Sequence, residues 1–174
     1  MGHKPSQPRT NPPRVKGLAA ELHKKRPFDQ PEQEAWLSLL RTTSLLGAEV
    51  ERVFKEHGLS EATYNALRIL RGGGCARTCS EVGRDLVARV PDVTRIIDRL
   101  EKAGLVTRKR ESRDRRVVHI NITDKGLELL ARLDQPLREV HKRQFEPLTR
   151  AEVAELIRLL EKLRAPFRDV SKHP

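Results

Sequence analysis

The stretch from Thr78 to Thr123 limits the possible folds more than any other part of the chain. It holds two short helix signals split by a tight turn, then two β-prone runs around a basic tip. Thr78 stands three residues before Glu81, the capping-box spacing in which each side chain satisfies a free backbone N–H. Val82, Leu86 and Val87 follow as a short apolar stripe. Pro91 is expected to end that helix, because the residue before a proline is pushed out of the α region. The same ring suits the first position of a new helix. From there Val93, Ile96, Ile97 and Leu100 recur at helical spacing, and Gly104 falls where a left-handed C-cap belongs. The opposite face carries Asp92, Thr94, Arg95, Asp98, Arg99 and Lys102. One face suits a core and the other a polar partner.

Residues 105–110 and 116–122 are β-prone, and Val118, Ile120 and Ile122 alternate with polar neighbours as a half-buried strand should. From Arg108 to Arg116 there are six basic residues against two acidic ones, at the expected tip of a two-stranded ribbon. Two helices, a tight turn and a basic ribbon form a winged helix-turn-helix pattern. Residues 91–103 would then enter a DNA major groove, and the ribbon tip would meet phosphates or the adjoining minor groove.

The run PDVTRIIDRLEKAGLVTRKRESRDRRVVHINITDKG, from Pro91 to Gly126, resembles the signature of the multiple-antibiotic-resistance regulator (MarR) family. With the flanking helices the likeness covers about residues 31–168. The resemblance implies a small dimeric winged-helix repressor of bacteria or archaea. It also implies a mostly α fold with a small β-wing, flanked by N- and C-terminal dimerisation helices. One local departure lies at the tip: the family opens it with Asp-Pro before Arg-Asp-Arg-Arg, and this chain opens it with Glu111-Ser112. By the same resemblance Asp114 pairs with a neighbouring arginine and shapes the tip.

Charge supports a polyanionic partner. The 174 residues carry a net charge of +11, which favours association with nucleic acid. Only 3% of residues are aromatic, so the core must be built mainly of Leu, Val, Ile and Ala. No apolar run of about 18 residues is present to span a membrane, and no apolar segment follows the basic start as a signal peptide requires. A cytoplasmic protein with reduced thiols is the expectation.

In chain order, residues 1–26 hold seven Lys or Arg, four prolines and the single acid Glu21, and read as a basic, disordered tail. A helical turn or two is possible within residues 15–25. Residues 27–174 read as one domain, with a DNA-binding lobe over 59–123 and dimerisation helices over 29–57 and 124–168. The first long helix starts near Asp29-Gln30-Pro31-Glu32 and ends at Gly58. Its stripe of Trp36, Leu39, Leu40, Thr43, Leu46, Val50, Val53 and Phe54 is too long for so small a domain unless a second subunit covers part of it. Ser60 caps the next helix, with Tyr64, Leu67 and Leu70 inward until Gly72-Gly73-Gly74. That glycine run lacks the Lys-Ser/Thr and preceding strand of a phosphate-binding loop. Thr123 caps a helix carrying Leu127, Leu130, Leu133, Leu137 and Val140, with a kink expected at Pro136. Thr149 and Glu152 repeat the capping box before a last helix of Val153, Leu156, Ile157, Leu160 and Leu163.

Roles follow for a homodimer on double-stranded DNA. Arg95 is the candidate for two-pronged contact to guanine, with Thr94 and Asp92 able to reach base edges or a phosphate and Arg99 nearer the backbone. Thr78 and Ser80 open a helix whose free N–H groups could seat a phosphate. Arg113, Arg115 and Arg116 are the tip candidates. The family responds to small phenolic or anionic effectors, which assigns Trp36, Tyr64 and Arg108 as pocket candidates beside the blander reading of Trp36 as core. Two rival readings stand open. Cys75 and Cys79, four apart and just before the helix pair, could make a thiol-based redox sensor; the plain alternative is two unreactive residues. A non-specific nucleic-acid binder would use charge alone. The six histidines show no metal-ligand spacing and no nucleophile elbow is present, so neither catalysis, metal nor cofactor is expected.

Overall fold

Helix caps set most of the element boundaries. The structure, a computed structural model, describes residues 17–111 and 117–167, so the tip candidates Arg113, Arg115 and Arg116, with Asp114, lie outside the described residues, as does the tail before Gly17. The described elements run α1 (Gly17–Glu21), α2 (Pro31–Glu56), α3 (Glu61–Gly73), α4 (Cys79–Asp85), α5 (Val93–Lys102), β1 (Val106–Arg110), β2 (Val118–Ile122), α6 (Asp124–Phe145) and α7 (Arg150–Arg164). Within α2 the chain divides into two units, Met1–Gly47 and Ala48–Pro174. No helix among the described residues is long and apolar enough to cross a membrane.

In the first unit, the helical turn allowed within residues 15–25 is present as α1, which buries Leu18 and Ala19. Arg41 of α2 reaches back to Glu21 at 3.1 Å. Trp36 is 60% exposed, and Leu40 and Leu45 of the same helix are also exposed.

The second unit holds the main core. Phe54, Leu59, Tyr64, Leu67, Leu70, Val82, Ile97, Leu100, Val106, Ile120, Leu130 and Leu133 pack there as one buried cluster. Each fully buried Leu or Ile of this kind contributes roughly 1.5–3 kcal/mol relative to an exposed one. Strands β1 and β2 pair antiparallel, Val106 opposite Ile122 and Arg108 opposite Ile120. Arg77 forms an additional antiparallel bridge to Ile120, tying the loop before α4 to the ribbon.

Three capping boxes are formed: Ser60 with Thr63, Thr78 with Glu81, and Thr149 with Glu152. Gly104 takes the left-handed conformation expected of it (φ 71°). The helix-turn-helix departs from expectation at its turn. Helix α4 ends at Asp85, six residues before Pro91, because Leu86 already has extended geometry (ψ 140°). Val87 is therefore not part of a core stripe and is 82% exposed. Helix α5 begins at Val93, not Pro91, with Asp92 as its N-cap. Two glycines let a helix come close to its neighbour, α4 to α5 and α6 to the chain entering β1. A Cβ on Gly83 would fall 2.9 Å from Val93 Cγ2, and one on Gly126 would fall 2.5 Å from the Leu105 carbonyl oxygen. Helix α6 continues through Pro136 and turns Leu129 inward, whereas Leu127 is exposed. Among the described residues, α7 buries none of its own.

Candidate nucleic-acid interface

Helix α5 is amphipathic in the way its sequence demands: Ile96, Ile97 and Leu100 are buried, while Thr94, Arg95 and Arg99 are exposed. Their positions follow from the cap. The Asp92 carboxylate accepts the backbone N–H of Arg95 at 2.9 Å, which starts the helix and commits that carboxylate to the protein's own backbone. An N-cap of this kind typically contributes about 1 kcal/mol. Ser60, Thr63, Val90, Pro91, Asp92, Arg95, Ile96 and Arg99 line a groove of about 510 Å³ beside this exposed face.

Thr78 is occupied by its capping box. Its backbone N–H and its hydroxyl both donate to Glu81 Oε2, at 2.8 and 2.9 Å. The backbone hydrogen bond from Thr78, then that of its hydroxyl, hold the Glu81 carboxyl below the usual carboxylate range. Of the two candidates for a phosphate seat at α4, Ser80 is the exposed one and Thr78 is half-buried and already bonded.

The resemblance makes Arg108 a pocket candidate, but the geometry gives it a different set of neighbours. Its Nη1 lies 2.6 Å from Asp98 Oδ1 and 2.9 Å from Glu101 Oε2, and its Nη2 donates to the Thr94 carbonyl at 3.4 Å. Desolvation opposes the charge on Arg108, but the Asp98 hydrogen bond and the two carboxylates outweigh it and raise its pKa above the ordinary arginine value. Tyr64 is elsewhere. It stacks on Phe54 with ring centroids 4.4 Å apart, and its hydroxyl accepts from Arg68 at 3.2 Å. It lines a cleft of about 420 Å³ between α3 and α6 with Arg68, Arg71, Asp134, Leu137, Arg138 and His141. There Arg71 grips Asp134 with two hydrogen bonds of 2.8 Å, which hold that carboxyl below its usual range. The structure thus does not bring Arg108 into the Tyr64 cleft, and Trp36 belongs to the first unit. Cys75 is exposed, Cys79 is half-buried at the first position of α4, and both are free thiols.

The residues that sequence reasoning missed are the ones that hold this surface in shape. Helical spacing puts Asp98 on the polar face without a partner, and it does not single out Glu101. Arg77, not singled out at all, pairs with Asp85 at 3.0 Å and bridges to β2. A usable signal was present: two acids three apart on α5 and an arginine at the middle of the next strand.

A short α4, a turn, an α5 with a cationic outer face and an antiparallel ribbon define a winged helix-turn-helix DNA-binding protein. Sequence comparison agrees: the MarR family description matches residues 59–118. A MarR transcription factor from Planctomyces limnophilus is 43% identical, with 77% of this chain and 98% of that chain covered and a TM-score of 0.61. The transcriptional repressor MprA of Escherichia coli K12 is 30% identical over 138 residues, 78% of each chain. The repressor IacR of Pseudomonas putida is 33% identical over 112 residues, covering 64% of this chain and 66% of that one. The chain belongs to the MarR family of DNA-binding transcriptional regulators, which are not enzymes.

Proposed function

We propose that the protein is a repressor that binds a pseudo-palindromic operator as a homodimer and leaves it when a small phenolic or anionic effector binds. The observation that carries the reading is the two-sidedness of α5, with Ile96, Ile97 and Leu100 buried and Thr94, Arg95 and Arg99 free to face a groove. Arg95 reads guanine, and Thr94 a neighbouring base edge; Arg99 and Ser80 hold phosphates. Asp92 serves as the cap of the reading helix. The tip arginines Arg113, Arg115 and Arg116 grip the flanking backbone. Dimerisation is supported by α7, a 15-residue helix with no buried residue whose Ile157, Leu159 and Leu163 are exposed. Apolar surface of that kind is favourably covered by a symmetry-related copy. A DNA partner makes the cytoplasm the working location.

The effector reading is supported by the Tyr64 cleft, where a phenol hydroxyl and the cations Arg68 and Arg138 face about 420 Å³. Selection of a binding site from random duplexes tests the whole proposal. The expected product is an inverted repeat bound at least ~10³-fold more tightly than random DNA; equal binding to all duplexes would instead favour a charge-only binder. Benzoate and phenol are the first effector probes, and Arg138→Ala should remove their effect on operator binding.

A thiol-sensing reading has one observation in its favour. Cys79 is the first residue of α4, half-buried and packed against the core, so oxidation there would disturb the start of the helix pair. Peroxide treatment should then weaken operator binding in the wild type and leave a Cys75→Ser, Cys79→Ser variant unaffected.

A further inference from the structure

The positive charge of helix α5 is partly offset by acids on the same helix. Between Val93 and Lys102 it carries Arg95, Arg99 and Lys102 but also Asp98 and Glu101, and two carboxylates beside a phosphate backbone repel it. Both carboxylates are gripped by one side chain from the wing. Arg108 reaches Thr94, Asp98 and Glu101, positions that lie along one stripe of the helix. Arg108 is itself held firmly: its strand partner Ile120 is fully buried, and Ile120 is bridged on its other side by Arg77. The Arg108 side chain is less exposed than that of either acid, at 24% against 46% and 40%. That geometry suits a residue that serves the helix more than one that grips DNA.

We propose that Arg108 is a positioning residue for DNA binding: it masks the two carboxylates of the reading helix and fixes the angle between that helix and the wing. This rests on the docking of α5 proposed above. Without Arg108, Asp98 and Glu101 face the phosphates uncompensated, and the wing is no longer tethered to the helix it flanks. The fork of an arginine is suited to this in a way a lysine is not, because its planar donors can serve two carboxylates and a carbonyl at once.

The test is a charge-rescue series on the full-length protein, read as operator affinity, salt slope and the specificity ratio over random DNA. Arg108→Met is expected to weaken operator binding by roughly 10–100-fold, the range of one or two lost charge-assisted contacts. Adding Asp98→Asn and Glu101→Gln to it should restore affinity to within about 5-fold of wild type, because the repulsion being masked has been removed. Failure of that rescue would overturn the proposal, and so would an Arg108→Met variant that binds like the wild type. If Arg108→Met does not fold, Asp98→Asn with Glu101→Gln on the wild-type background carries the decision. Random DNA should then bind more tightly, with a salt slope steeper by about one, while the specificity ratio falls. An unchanged slope and ratio would contradict the masking. Arg95→Ala run in parallel separates the two claims. If it leaves operator binding intact, the docking itself is wrong; if it weakens binding and rescue still fails, only the role of Arg108 is wrong.

Discussion

Helices α5 and α7 start from the same kind of sequence and end in opposite situations. Each is amphipathic and each is capped, by Asp92 and by the Thr149–Glu152 box. Yet α5 buries Ile96, Ile97 and Leu100 within its own subunit, whereas α7 buries nothing among the described residues and exposes Ile157, Leu159 and Leu163. A helix whose apolar face is already covered has only its polar face to offer, and a polar face with Arg95 and Arg99 suits nucleic acid. A helix whose apolar face is uncovered offers that face first, and another protein surface is what best covers it. The pair teaches that the burial of one face tells which partner the other awaits.

That contrast can be broken at several points. Leu163→Glu on α7 should have the largest effect, since it puts a charge into the proposed dimer face. Sedimentation should show monomers, and operator affinity should fall roughly 100-fold or more as the two linked half-site contacts become independent. Ile97→Ala on α5 should act on folding instead, costing about 2–5 kcal/mol in urea unfolding because the site is fully buried. Arg95→Ala should leave stability unchanged and cost about 1–3 kcal/mol of discrimination between operator and mismatched sites. Thr78→Ala should lower stability by about 1 kcal/mol through loss of the α4 cap.

The smallest effect concerns pH. The Arg71 hydrogen bonds depress the Asp134 carboxyl in the folded protein, so its contribution is present above the unfolded value of about 3.9. It is lost as pH falls through the lower folded value. Asp134→Asn should therefore flatten the acid limb of the stability curve below pH ~4, measured by thermal melts across that range.

Much of the fold was legible because caps and turns are local chemistry. Thr78 with Glu81, Thr149 with Glu152, the left-handed Gly104 and the alternation of Val118, Ile120 and Ile122 all depend on neighbours within a few residues. The end of α4 was not legible in this way. Pro91 forbids helix just before it, but nothing local says that the chain leaves the helix six residues earlier; that depends on how Gly83 lets Val93 approach. The inward turn of Leu129 in place of Leu127 is likewise set by what α6 packs against. At the site, exposure of Thr94, Arg95 and Arg99 follows from helical spacing alone. The grip of Arg108 on Asp98 and Glu101 joins residues seven to ten apart across the turn from α5 into β1, and helical spacing does not carry that information. Asp92 was placed on the polar face for the same reason: spacing gives direction, and only the backbone geometry shows that its carboxylate is already used.

The central claim is that two α5 helices, related by a two-fold axis, read two half-sites about one turn of DNA apart. Its most direct test is the affinity of the wild-type protein for a selected operator and for the same operator with five base pairs inserted between its half-sites. Half-sites about 10–10.5 base pairs apart lie on one face of the duplex, and a half-turn insertion rotates one of them to the far side. The half-turn insertion is expected to lower affinity to the level of random DNA, and a full-turn insertion to cost less. Equal affinity for the native and half-turn operators would contradict the central claim.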